Sequence, residues 1–423
     1  MKVKLAAKEP VRPRRAGRRS PPPPAILHGP DETLDGVYIL DEMRNGVGVL
    51  LWQSLHDVIL WASVPPEERR GLFRPESVRR RLAALVAMGA DPVLETALTS
   101  LAALSTDPDT ARPEMVGSVC LQVARWADAH GSAATALAFA QGAAMASPCD
   151  ASAGLLAGSL ARKLGERARA ETWLRRTIVL GRRNGDRSSL FQACLALGEM
   201  QAERADLEAK RGNVEAARAD VEAARGLFLR AFRGARRSGF REIKAQALHG
   251  LFRLAAQGGR TDEADVYARS TLHAYGRRHP RVPQVARDIG TFWLERGKYT
   301  EALAALRLLL PYARRPGERV EALAAVARAA AGARNEQAFD DAAGEALQLL
   351  RRTPPEEMKS SPLLELARGA AEMERWESAE RVAQLALDTA VSRGEDQVTS
   401  GAEALLTAVW THGGGMRLQP ALM

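Results

Sequence analysis

Residues able to do chemistry are few in this chain, and their spacing does not assemble them. Of the seven histidines, only His273 and His279 are close, and six apart is poor spacing for one helix face, so no metal pair is expected. Cys120, Cys149 and Cys194 are odd in number, far apart and set among small apolar residues. They read as buried thiols in a reducing compartment, not as a disulfide or a metal site. The sequence has no G-x-x-x-x-G-K-S/T phosphate loop, no H-E-x-x-H and no C-x-x-C. Gly46-Val47-Gly48 lacks the third glycine and the preceding strand of a dinucleotide site. Asp262-Glu263 falls where a helix begins, and the macrodipole accounts for it without catalysis. Asp340-Asp341 and Arg79-Arg80-Arg81 read as solvated faces, the latter on an amphipathic helix whose other face is needed for packing. The expectation is a chain that is not an enzyme, with no catalytic residue, no metal and no cofactor.

The elements that would have to position such residues are more informative, because their spacing repeats. The clearest stretch is Arg287 to Pro311. Ala286, Ile289, Gly290 and Trp293 share one face of a first helix. Gly297 ends it, and Lys298-Tyr299-Thr300 opens a second, in which Ala302, Leu303, Leu306, Leu309 and Leu310 recur at helical spacing. Small residues at Gly290 and Ala302 let two antiparallel helices approach closely while large ones fill the gaps. The same grammar recurs. Cys120-x2-Val123-Ala124-x2-Ala127 turns at Gly131 and continues Ala136-x3-Ala140. Gly154-x2-Ala157-Gly158-x2-Ala161 turns at Gly165 and continues Ala170-x3-Leu174. Ala124 and Gly158 are equivalent and lie 34 residues apart. Leu248 to Ala255 turns at Gly258-Gly259. Glu321 to Ala331 turns at Gly332. Leu363-x2-Leu366-Ala367-x2-Ala370 turns before Trp376 and continues Ala379-x3-Ala383. One unit departs: Cys194-x2-Leu197-Gly198 reaches its corner, Gly212, seven residues late. Seven residues are about two turns, so this pair lengthens, keeps its face and projects.

This series resembles the tetratricopeptide repeat (TPR), whose pattern is W-x2-L-G-x2-Y, then A-x3-F, then P, at a period near 34 residues. The resemblance implies an all-α right-handed superhelical solenoid of helix pairs. Gly158, Gly198, Gly290, Trp293, Ala124, Ala302, Ala367 and Ala379 are its packing positions. It also implies that first helices line a concave groove, with the residue after each small position pointing inward: Arg125, Ser159, Arg253, Thr291 and Arg368, joined on the same face by Arg162, His249 and Arg287. Such a groove binds a protein segment or helix, and arginine there favours an acidic one. Chaperone-binding members clamp a C-terminal carboxylate with asparagine and lysine; this chain has arginine, serine and threonine at those positions, which argues against that clamp.

Composition bounds the rest. The 423 residues are 46% hydrophobic but only 5% aromatic, and much of the apolar content is alanine, suited to close helix pairs. Few segments alternate with period two, so almost no strand is expected. Eight lysines leave 52 arginines among 60 basic residues, the codon bias of a GC-rich genome. The net charge is +9, of which +7 lies in residues 1–20, leaving +2 for the rest. Residues 1–30 form a basic, proline-rich leader expected to be disordered. It reads either as a solubilising segment or as an electrostatic tether to nucleic acid or an acidic protein. Residues 31–112 read as a helical N-terminal cap. Trp52 and Trp61 lie on its first helix, and Val78, Leu82, Leu85 and Val86 on one face of the next; its last two helices form a degenerate repeat. The array spans 113–395, with the long pair near 199–237; 396–423 is a closing helix with a tail that frays from Gly413. No signal peptide or membrane span is visible, so a cytoplasmic protein is expected. The function expected is a scaffold or adaptor. The alternative is a regulator contacting nucleic acid through its basic leader.

Overall fold

The computed structural model describes residues 38–89, 91–104, 107–352 and 359–417. The basic leader, the Pro354-Pro355 loop and residues 418–423 lie outside them. Among the described residues there is no strand. The chain divides after Ser238 into two compact units.

The first unit opens with α1 (Tyr38–Glu42), α2 (Gly46–Ser63), α3 (Pro75–Ala87) and α4 (Pro92–Leu104). Three pairs follow: α5 (Pro113–Ala129) with α6 (Ala133–Ala146), α7 (Ala151–Lys163) with α8 (Arg167–Asn184), and α9 (Arg187–Lys210) with α10 (Val214–Ser238). In the second unit α11 (Arg241–Gln257) pairs with α12 (Thr261–Tyr275), and α13 (Val282–Leu294) with α14 (Tyr299–Leu306), which ends in a 3-10 turn. Next, α15 (Pro316–Gly332) pairs with α16 (Glu336–Leu350), and α17 (Ser360–Glu372) with α18 (Trp376–Arg393); α19 (Asp396–Arg417) closes the chain. Proline at or near the first position starts several of them, where its missing N–H has no helical partner to lose.

The corners within pairs repeat one device. The N–H groups of Ser132, Glu166, Asn213, Arg260, Lys298, Asn335 and Arg375 each donate, at 2.9 Å, to a carbonyl five residues back. The preceding residue is left-handed each time: Gly131, Gly165, Gly212, Gly259, Gly297, Arg334 and Glu374. This is a Schellman cap, which ends the first helix and aims the second back along it. One corner differs from the sequence expectation. Gly332 is the last residue of α15, and Arg334, at φ 54°, makes the turn. Gly332 is small for packing: a Cβ there would stand 2.2 Å from Cδ1 of Tyr299.

Between paired helices the small positions are filled as close approach requires. Ala124, Ala302, Ala367 and Ala379 have no exposed surface. A Cβ on Gly158 would meet Leu174 at 2.7 Å, one on Gly198 would meet Phe228 at 2.8 Å, and one on Gly290 would meet Leu306 at 2.6 Å. Trp293 is buried and donates its indole N–H to Asp265 at 2.7 Å. The helix pairs thus keep the small-residue packing that the sequence predicts. The late corner at Gly212 gives α9 and α10 lengths of 24 and 25 residues, against 13 for α7.

The N-terminal helices close the first unit. α6 is mostly apolar and buried on nearly every side, so neighbours must cover it all round. α5 and α7 flank it, and α1 and α2 lie on what is left. Trp61 of α2 is buried, donates its indole N–H to the Pro108 carbonyl at 2.9 Å and carries the Arg69 guanidinium 3.9 Å above its ring. Three details correct the sequence reading. Val86 is 67% exposed, so the buried face of α3 is Val78 and Leu85. Cys149 is exposed, while Cys120 and Cys194 are buried. The last helix continues through Gly413–Gly415 to Arg417.

Candidate functional site

Each unit has its own candidate face, presented by the first helices of successive pairs: α5, α7 and α9 in the first unit, and α11, α13, α15 and α17 with the closing α19 in the second. Neighbouring first helices touch in the pairs α7–α9, α15–α17 and α17–α19. Polar bridges tie others. Lys163 of α7 reaches Asp128 of α5 at 2.7 Å, and His249 of α11 meets Asp288 of α13 at 2.9 Å.

The eight groove positions divide into two kinds. Arg125, Arg253 and Arg287 are exposed and have no ion-pair partner among the described residues. Ser159 and Thr291 are exposed as well; the Ser159 hydroxyl donates back to the Leu155 carbonyl at 2.9 Å. Arg162, His249 and Arg368 are engaged. Arg162 bridges from α7 to Glu199 and Glu203 of α9. Burial opposes its charge, but the two carboxylates outweigh that and hold the guanidinium above its ordinary pKa. Arg368 donates to Glu365 on its own helix at 2.8 Å. His249 is taken by Asp288, and its ring also lies parallel to Phe252, 6.2 Å between centroids.

In each unit the face is therefore mixed in charge, not a uniform arginine wall. The carboxylates are what sequence reasoning missed. Glu199 follows Gly198 as Ser159 follows Gly158 and Arg125 follows Ala124, so its register marks it as a member of the same row. Arg328 follows Ala327 in the same way, and in the structure it bridges α15 to Glu365 and Glu372 of α17. Asp288 carries no such signal, because its pairing depends on which helix lies beside α13.

Among the described residues no three His, Cys, Asp or Glu side chains gather as metal ligands. Burial pushes the Cys120 thiol up to about 12, which suits a packing residue and not a nucleophile. No described helix is long and apolar enough to cross a membrane.

No protein-family model matches the chain, and no curated protein matches it in sequence. Solved structures with helical repeats do match. The Rap conjugation gene regulator of plasmid pLS20, solved in complex with the Phr peptide, is 12% identical over 85% of this chain and 96% of its own, with a TM-score of 0.38. Cut9-Hcn1 of the APC/C is 13% identical over 90% of this chain and 66% of its own, with a TM-score of 0.38. The TPR2AB domain of yeast Sti1, solved with an Hsp90 peptide, is 12% identical over 68% and 98%, with a TM-score of 0.25.

Proposed function

We propose that this array is a non-catalytic scaffold or adaptor whose first-helix face binds a segment of another protein. The observation that carries the reading is the row itself. Equivalent positions on consecutive first helices, such as Arg253 on α11 and Thr291 on α13, are exposed while the residues just before them, Phe252 and Gly290, are buried. A bound segment would meet the same register again at each successive helix, and a periodic surface of this kind suits an extended strand or a helix laid across it. Arg125, Arg253 and Arg287 provide cations with no ion-pair partner among the described residues, so acidic residues on the ligand would find charge-assisted hydrogen bonds. The engaged carboxylates Glu199 and Asp288 would reject a uniformly acidic ligand, and a segment with interleaved charge fits the face better.

Site-specific photocrosslinking tests this. A crosslinking residue placed at Arg125 or Ser159 is expected to capture one partner shared by those two positions in cells, and one placed at Arg253 or Thr291 a partner shared by those two. The same residue at Val266 or Val391, exposed on second helices, is expected to capture nothing in common with them. Equal capture at the first-helix and second-helix positions, or none at the first-helix positions in a chain with its full helical circular dichroism, would overturn the reading.

A further inference from the structure

Many arginines in this chain find carboxylates: Arg81 with Asp57, Arg204 with Asp220, Arg269 with Asp265 and Glu301, Arg319 with Glu345 and Arg375 with Asp340. One end of the first unit departs from this. α8 and α10 are both antiparallel hairpin neighbours of α9, so their C-terminal ends meet its N-terminal turn. Two glycines set how closely. A Cβ on Gly181 would stand 3.0 Å from Cβ of Leu190, and one on Gly234 would stand 2.1 Å from Cζ of Phe191.

That end carries Arg182, Arg187, Arg230, Arg233, Arg236 and Arg237. Arg230 is half-buried and the other five are exposed. None has an ion-pair partner among the described residues. From Arg225 to Ser238, α10 holds five arginines and no acid. The nearby carboxylate in sequence, Asp186, is committed to capping α9 through the Ser189 N–H at 3.1 Å. The charges of Arg182, from α8, and Arg230, from α10, both act on the Cys194 thiol of α9, where burial is the larger influence, so the two sets of arginines face a common region.

The helix macrodipole accounts for part of this. Arg182, Arg236 and Arg237 sit in last turns, where cations are favoured. It does not account for Arg187, the first residue of α9, where a cation is opposed, nor for Arg230 and Arg233 farther in. Like charges gathered this way repel unless an anion joins them. A protein interface would centre on aromatic or aliphatic anchors. Here the residues between Arg182 and Arg187 at the α8–α9 turn are Arg183, Asn184, Gly185 and Asp186, none of which has an apolar side chain.

We propose that the end of the first unit formed by α8, the start of α9 and α10 docks the phosphate backbone of a nucleic acid, reading its charge and not its sequence. This places polyanion binding on the folded body, apart from the basic leader, and is independent of what the first-helix face binds.

Fluorescence anisotropy with a short labelled oligonucleotide of mixed sequence, on the full chain across a salt series, tests it. With the oligonucleotide as a duplex, Arg182→Gln, Arg187→Gln, Arg233→Gln and Arg236→Gln combined are expected to weaken binding at least about tenfold and to flatten the log–log salt slope by up to about 3.6, roughly 0.9 for each phosphate no longer neutralised. The same four positions changed to lysine are expected to keep most of the slope, which separates lost charge from lost fold. Changing Arg12, Arg14, Arg15 and Arg18 to glutamine is expected to leave the remaining salt dependence in place. An unchanged slope in the first variant, or no binding by the parent chain at low salt, overturns the proposal. So does labelled polyglutamate binding as tightly as the oligonucleotide with the same losses, which would assign the patch to an acidic protein instead.

Discussion

Glu42 accepts hydrogen bonds from the Thr135 N–H at 2.7 Å and the Thr135 hydroxyl at 2.6 Å, and its other carboxylate oxygen accepts from the Ala134 N–H at 2.9 Å. A side chain on α1 thus caps α6, more than ninety residues on. The cap that α6 would ordinarily find at Ser132 is absent, since Ser132 makes no side-chain bond to the helix start. The N-terminal helices are therefore tied to the repeat array by a charge at the positive end of a buried helix.

Removing that charge should loosen the N-terminal helices first. Glu42→Ala is expected to lower stability by about 1 kcal/mol, the usual effect of losing an N-cap. The loss should appear as faster proteolysis near residue 45 before any change in the second unit. Glu42→Asp, one methylene shorter, is expected to restore part of it.

The packing glycines predict a pair of opposite signs. Gly290→Ala and Gly332→Ala would push a methyl into Leu306 and Tyr299, at 2.6 and 2.2 Å. Each should destabilise by about 1–3 kcal/mol, the range for overpacked cores. Gly344→Ala, in the middle of α16 with nothing within 4 Å of its Cβ position, should stabilise by about 0.5–1 kcal/mol through lower backbone entropy of the unfolded chain and better helix propensity. Thermal melts of the three variants check both signs.

The corners give a second test of the same logic. Glu374 holds φ 59° at a position where five of the seven corners use glycine. Glu374→Gly is expected to raise stability by about 1 kcal/mol, because a left-handed backbone strains residues with a Cβ. Gly131→Ala, at φ 83°, is expected to lower it by a similar amount. Denaturant midpoints are the measurement.

These glycines also show what was legible in the sequence. Ala124, Gly158, Gly198 and Gly290 could be read because close helix approach leaves a small residue at a fixed spacing. Corner glycines could be read because a Schellman cap needs a left-handed residue at a fixed distance from the last helical turn. Gly332 misled for a physical reason: a glycine two residues before the corner has the composition of a turn, and only Tyr299 from the preceding pair shows that it is a contact. The groove was legible as a set of positions but not as a charge pattern. Whether Arg162 is free or bridged to Glu199 depends on the next helix, and Glu42 capping Thr135 has no local signature at all.

Asp265 predicts a pH dependence. Burial alone would raise its pKa, but hydrogen bonds from Trp293, Lys298 and Arg269 prevail and hold the carboxyl below its usual range. A depressed folded-state value means that the unfolded chain takes up the proton first. The stabilisation is thus fully present above the ordinary aspartate range, near pH 4, and is lost as pH falls through the lower folded value. Melting temperature should fall over that acid window. Asp265→Asn should melt lower at neutral pH and show a shallower acid decline, with the difference between the two proteins narrowing toward low pH.

The long pair holds the last prediction, an asymmetry within one ion pair. Arg204 of α9 reaches both carboxylate oxygens of Asp220 in α10, its Nε donating to Oδ2 at 2.7 Å, and Gln201 accepts a further bond from it. The two partners differ in exposure: the Asp220 side chain is 9% exposed and that of Arg204 is 49%. If Asp220 is removed, the guanidinium can turn to water and keep most of its solvation. If Arg204 is removed, a carboxylate stays under the packed helices without a counter-charge, the costlier outcome. Arg204→Ala is therefore expected to destabilise more than Asp220→Ala, and the double variant should lie closer to Asp220→Ala than to the sum of the two. Hydrogen exchange should locate the loss in residues 201–222, since the pair fastens the extension of α9 and α10 and not the core of either unit. Equal effects from the two single variants would show that the exposure difference does not govern the pair.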